Sequence, residues 1–205
     1  MSQDGPVDRP SDSLQRVEGR QLFGLDPGLY DEGRPDYPSY VYDELRRRCG
    51  MARGARVLEI GPGTGIVTRH LLAAGTRVVA VEPDPSLAAY LGQVMVGHEV
   101  KILVASFEDA PIDIETFDLA VAATSFHWVD QEAGLKKLGR VIRPGGWIAL
   151  WWTLFRDPSH PDPFSTAVEE LLGPGTRGAF DEPGRPPFQL DFDHRQRDLT
   201  RWAEV

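Results

Sequence analysis

With a single cysteine, Cys49, in 205 residues, the chain cannot close an internal disulfide, so its stability must come from a packed core. That usage fits a reducing compartment, and a cytoplasmic location is expected. Long apolar runs are missing too. The longest, such as Trp147–Trp152, fall far short of a bilayer span, so no membrane partner is expected. The N-terminal stretch MSQDGPVDRPSDSLQRVEGR is polar and acidic and lacks the apolar centre of a signal peptide. Basic charge is scarce as well. Lys and Arg number 22 against 31 Asp and Glu, a formal charge of -9, and a surface of that sign repels phosphate backbones at long range. Nucleic acid is therefore a disfavoured partner. His70, His98, His160 and His194 are scattered without the Cys or carboxylate spacing of a zinc site. Asp157, His160 and Asp162 read as an ordinary polar loop, and no metal is expected.

What is present is enough for one domain with a sizeable core. Residues 1–20 are rich in Asp, Ser, Pro and Arg without hydrophobic periodicity and read as a disordered leader. Residues 39–49 have helical spacing. From Arg56 strands alternate with helices: Arg56–Ile60 strand, Gly65–Ala74 helix, Thr76–Val81 strand, Pro85–Val96 helix, Val100–Ala105 and Phe117–Ala123 strands, Asp130–Val141 helix. Arg143-Pro-Gly-Gly146 reads as a turn and Trp147–Trp152 as the fifth strand. Buried-type strands separated by crossover-length segments predict a Rossmann-like α/β fold. Its sheet is doubly wound and mostly parallel, covered on both faces. Residues 21–152 form this domain. Residues 153–205 are a Pro/Gly-rich segment followed by a C-terminal helix, the incomplete end of the same domain.

The most specific signal is Val57-Leu58-Glu59-Ile60-Gly61-Pro62-Gly63-Thr64-Gly65, a strand entering a glycine turn that opens a helix. Glycines permit the bend and let a ligand approach the backbone, while free N–H groups line the helix start. The next strand ends at Glu82, whose carboxylate can accept both hydroxyls of an adenosine ribose. A nicotinamide dinucleotide fits less well. Its fingerprint is G-x-G-x-x-G, and here Ile66 stands at the last glycine's place. Glu59 would repel a pyrophosphate but attract an amino-acid ammonium, by roughly 4 kcal/mol at 4 Å and an effective dielectric near 20. S-adenosylmethionine (SAM) has that ammonium and no phosphate.

These segments resemble the class I SAM-dependent methyltransferases, in the subgroup labelled the type 11 methyltransferase domain. The likeness spans residues 21–152 and rests on LEIGPGTG (Leu58–Gly65), VVAVEPDP (Val78–Pro85), FDLAVAATSFHWVD (Phe117–Asp130) and VIRPGGWIAL (Val141–Leu150). YDEGRPDYP (Tyr30–Pro38) matches a Y-x-x-x-R-P-x-Y-P pattern of a branch that includes relatives of trans-aconitate methyltransferase. The resemblance implies that Glu59, Gly61, Gly63 and Thr64 lie on the methionine side, that Glu82 holds the ribose, and that Gly65 and Pro83 also belong to the cofactor site. Ser106 and Phe107 would flank the adenine, with Ser106 standing where many relatives carry aspartate. Tyr30 and Arg34 would cover the cofactor, Arg34 pairing with the SAM carboxylate. Thr124 and Trp128 would flank it at the end of the fourth strand, where open α/β sheets bind ligands.

The activity so implied is methyl transfer from SAM to a small-molecule acceptor. The alternative is a SAM-binding protein without competent catalysis. His127 is the imidazole at the fourth-strand end, and its ordinary pKa near 6.5 suits a general base; packing under the cofactor is the other reading of it. Relatives usually complete the sheet with two further strands, whereas DLTRWAEV stands about where the sixth would be. The fifth strand or its neighbour is then expected to present an unpaired edge, exposing Trp147, Trp151 and Trp152 and favouring self-association.

Overall fold

The computed structural model describes residues 24–114, 116–154, 162–172 and 191–203. The leader expected at residues 1–20 lies outside these, as do Asp157 and His160.

Five parallel strands form one sheet: β1 (Arg56–Ile60), β2 (Arg77–Glu82), β3 (Val100–Val104), β4 (Phe117–Ala123) and β5 (Ile142–Trp151), in the order β3-β2-β1-β4-β5. Strand residues alternate between the two faces. Val57, Val78, Ala80, Leu119 and Val121 meet one set of helices. These are α2 (Ser39–Arg48), α3 (Ile66–Ala73) and α4 (Pro85–Val94), through Leu45, Val67, Leu71 and Leu91. Leu58, Ile60, Val81, Ala120 and Ala122 meet the other, α5 (Gln131–Val141), through Leu135, Leu138 and Val141. Leu199 of α7 (Phe192–Ala203) packs against that second cluster. With both faces covered, the strands read as unbroken apolar runs, which is the pattern that gave them away. No helix of the described residues is long and apolar enough to cross a membrane.

Among the described residues four helices start on Asp caps. Asp26 accepts from Leu29 N, Asp84 from Ser86 N and Leu87 N, Asp130 from Ala133 N, and Asp191 Oδ1, at the start of α7, from His194 N at 3.3 Å. The first opens α1 (Pro27–Gly33), which the sequence reading leaves uncalled because it buries no residue and carries no apolar stripe. A further helix, α6, spans Pro163–Leu172.

Two expectations need correction. The fifth strand begins at Ile142, not Trp147. Ile142 pairs with Phe117 and the register resumes at Trp147 opposite Leu119, so Arg143–Gly146 loop out of one strand. Pro144 has no N–H for the ladder and Gly145 sits at φ +77, which explains the interruption. Moreover, among the described residues β5 is a sheet edge, but of the three tryptophans only Trp147 is exposed, at 47 %. Trp151 meets the Tyr37 ring edge-on at 5.6 Å, and Trp152 packs on the α5 side of the core.

Gly65, at φ +91, caps α3 in the left-handed region. A Cβ there would sit 2.5 Å from Leu91 Cδ1 and 2.7 Å from Met95 Cε. Gly65→Ala should cost about 2 kcal/mol from the backbone alone and repacking, lowering the thermal midpoint by several degrees. An unchanged melting curve would show that the turn relaxes freely.

Candidate functional site

The carboxyl ends of β1, β2 and β4 meet at a cavity of about 280 Å³. It lies where the strand order reverses, β1 having β2 on one side and β4 on the other. The chain leaves β1 through Gly61, whose amide donates to Val81 O at 2.9 Å. At φ +65, a Cβ on Gly61 would lie 2.6 Å from Ser125 Cβ, so only glycine lets the turn after β1 pass the turn after β4. Ser125 Oγ donates back to Ile60 O at 2.5 Å and ties the two together.

Two carboxylates stand on this wall, both nearly inaccessible. Glu82, 4 % exposed, accepts Gly63 N and Asp84 N, one on each oxygen, both at 3.0 Å. It thereby fixes the glycine turn and the start of α4. Glu59, 2 % exposed, accepts Thr68 Oγ1 at 2.7 Å. Burial pushes the Glu59 carboxyl up; the Thr68 hydroxyl opposes this and the neighbouring Glu82 charge adds to it, leaving it at about 7.

The opposite wall comes from the segment before β1. Arg34 donates to Tyr30 OH at 3.0 Å and Tyr37 OH at 3.4 Å, and Tyr37 OH pairs with Thr124 Oγ1 at 3.0 Å. Thr153 N also donates to Thr124 Oγ1, at 3.1 Å. Thr124 has φ +54, alone among the described non-glycine residues in that region, and a β-branched residue there stores about 1–2 kcal/mol. The segment is held down by Asp31, which accepts Arg69 NH2 at 2.6 Å and Tyr90 OH at 3.2 Å. Partial burial would raise the Asp31 carboxyl, but Arg69, Thr64 and Tyr90 together outweigh it and keep it below the usual carboxylate range. His127 lies in a single 3-10 turn, Phe126–Trp128, at 8 % exposure, with Trp152 Nε1 donating to its Nδ1 at 3.1 Å.

Of the residues singled out from the sequence, Tyr30, Arg34, Glu59, Gly61, Gly63, Thr64, Glu82, Pro83, Phe107, Thr124, His127 and Trp128 all line this one cavity. Gly65 and Ser106 do not. Gly65 turns its open side toward Leu91 and Met95, because it is spent on the α3 cap. Ser106 Oγ donates to Asp109 Oδ2 at 2.7 Å and accepts Asp109 N, so it closes a local turn, while Phe107 and Glu108 reach the cavity. Three residues went unnoticed: Tyr37, Thr68 and, as a partner of His127, Trp152. A hydroxyl on the buried stripe of α3, beside Val67 and Leu71, was a readable sign for Thr68. Among the described residues no group of three or more His, Cys, Asp or Glu side chains could hold a metal.

A wall of two buried carboxylates facing a guanidinium and two phenols can grip an amino-acid head, a diol and a carboxylate together. Residues 58–150 match the methyltransferase domain family. An uncharacterized methyltransferase of Mycobacterium tuberculosis (strain H37Rv) is 36% identical over 130 residues, covering 63% of this chain and 51% of that protein. This chain thus spans about half the length of such curated relatives. A SAM-dependent methyltransferase structure from Aquifex aeolicus superposes with TM-score 0.51 at 22% identity, over 72% of this chain and 86% of that one. A [4+2]-cyclase shares the fold with TM-score 0.58 at 18% identity, over 71% and 63% of the two chains. Over residues 58–150 the chain thus matches the methyltransferase domain family, and it shares the fold of the SAM-dependent methyltransferase from Aquifex aeolicus.

Proposed function

We propose that this protein binds SAM in the β1/β2/β4 cavity and transfers the methyl group to a small-molecule acceptor. The observation carrying the reading is the pair of buried carboxylates, Glu59 and Glu82, on one wall around a glycine turn. Glu59 suits the ammonium of the methionine moiety, because an inaccessible carboxylate with one hydroxyl partner gains most from a cation. Glu82 suits the ribose: two backbone N–H groups hold its carboxylate in place, and an ionised carboxylate is an acceptor only, the match for the two hydroxyls of a diol. Arg34 would meet the carboxylate, and Phe107 the adenine face. SAM supplies an electrophilic methyl on a sulfonium, and the chain's part is to orient it and exclude water, since in-line displacement depends chiefly on alignment.

Calorimetric titration with SAM and with S-adenosylhomocysteine tests the binding, and an acceptor screen for released S-adenosylhomocysteine tests the transfer. No heat with either ligand rejects the proposal. Arg34→Ala should weaken SAM about tenfold, the worth of one partly exposed charge-assisted contact. An unaltered constant would remove Arg34 from the ligand. A second reading, SAM binding without methyl transfer, draws on the [4+2]-cyclase that shares the fold, since a fold does not fix chemistry. Binding without turnover on any acceptor would favour it.

A further inference from the structure

We infer that Trp152 is a positioning residue that keeps the His127 proton on Nε2, so that His127 meets a methyl acceptor as a hydrogen-bond donor and not as a base. The part concerning the acceptor rests on the function proposed above; the tautomer does not.

The indole N–H can only donate, so the nitrogen it addresses must offer a lone pair. Trp152 Nε1 addresses His127 Nδ1 at 3.1 Å. A neutral imidazole carries one proton, which is thereby assigned to Nε2. A hydroxyl or a water at that place would leave both tautomers open; an indole does not.

Neighbouring contacts hold this geometry. Thr124 N donates to Trp151 O at 2.7 Å and Thr153 N to Thr124 Oγ1 at 3.1 Å, so bonds on either side of Trp152 clamp it to the turn bearing His127. The Gln131 side-chain amide donates to Phe126 O and Val129 O, both at 2.9 Å, and ties the two ends of that turn. From α7, the Arg195 guanidinium lies over the Trp152 ring, 4.4 Å from its centroid, where the ring's negative face attracts a cation.

With its Nδ1 lone pair engaged, His127 could take a proton there only by displacing Trp152. A bound molecule that reaches Nε2 meets an N–H there. This suits an acceptor with an oxygen that draws a donor, such as an enolate, a phenolate or a carbonyl beside the attacking atom. It does not suit an acceptor that must lose a proton to this imidazole.

Long-range proton–nitrogen correlation spectra of the full chain, labelled with 15N histidine, test the assignment at neutral pH with and without S-adenosylhomocysteine. The His127 signals are identified by their loss in His127→Asn. Wild type should show a bare Nδ1 and a protonated Nε2, with the other tautomer undetected. Trp152→Phe, which keeps an aromatic ring and removes the donor, should show both tautomers in exchange. A proton on Nδ1 in wild type overturns the inference, and so does an unchanged His127 pattern in a folded Trp152→Phe protein. If that variant does not fold, the wild-type spectrum decides alone. The reading is independent of turnover, so SAM calorimetry separates a failure here from a failure of the proposed function.

Discussion

Glu59→Gln is expected to weaken SAM binding by about 100-fold near pH 7.5 while making the ligand-free protein more stable, because one buried carboxylate is responsible for both. Its folded-state pKa stands at about 7, above the ordinary glutamate value of about 4.3. The folded chain therefore holds a proton that the unfolded chain releases first. Stability from this group is complete below pH 4, declines as pH rises, and is lost above 7, a difference of about 4 kcal/mol. Denaturant titration of wild type at pH 5 and pH 8 should show that decline, and Glu59→Gln should flatten it. An ammonium beside Glu59 requires the ionised form. SAM affinity should hence climb between pH 6 and 7.5 with release of one proton, seen by calorimetry in buffers of different ionisation heats. Affinity independent of pH in wild type would detach Glu59 from the ligand.

Glu82→Ala should be at least as damaging to binding, by about 100-fold or more, since it removes two charged acceptors and leaves Gly63 N and Asp84 N without theirs. Glu82→Gln should behave almost as badly. Its amide nitrogen would face a backbone N–H, donor against donor. Methylthioadenosine, which keeps the ribose and adenine but lacks the amino acid, distinguishes the two glutamates. Glu82→Ala should weaken it as much as SAM, whereas Glu59→Gln should leave it unaffected. Equal losses for both ligands in both variants would defeat the division of labour.

The strands and the two glutamates were legible because their signals are local. Arg56–Ile60 and Phe117–Ala123 are apolar runs, and a carboxylate beside a glycine turn can be read within ten residues. The interruption in β5 was half legible: Pro-Gly-Gly announced a turn but not that Ile142 would rejoin the ladder before it. Helix α1 was not legible, since seven residues with no buried face give no period to detect. What holds it is Asp31 reaching Arg69 and Tyr90, 38 and 59 residues away. Tyr37 pairs with Thr124 across 87 residues, and Trp152 with His127 across 25. Such pairs exist only once the elements that carry them have packed together, and no motif in the chain announces them.

Strand order also sets when a ligand could first be held during synthesis. A ribosome that has released the chain as far as Glu82 has delivered both acidic groups, yet β1 still lacks β4, its neighbour on the opposite flank. Ser125, which buttresses the glycine bend, and Thr153, which braces Thr124, emerge much later. A nascent polypeptide should therefore stay unable to retain the nucleoside until Thr153 is out, and then gain that ability abruptly.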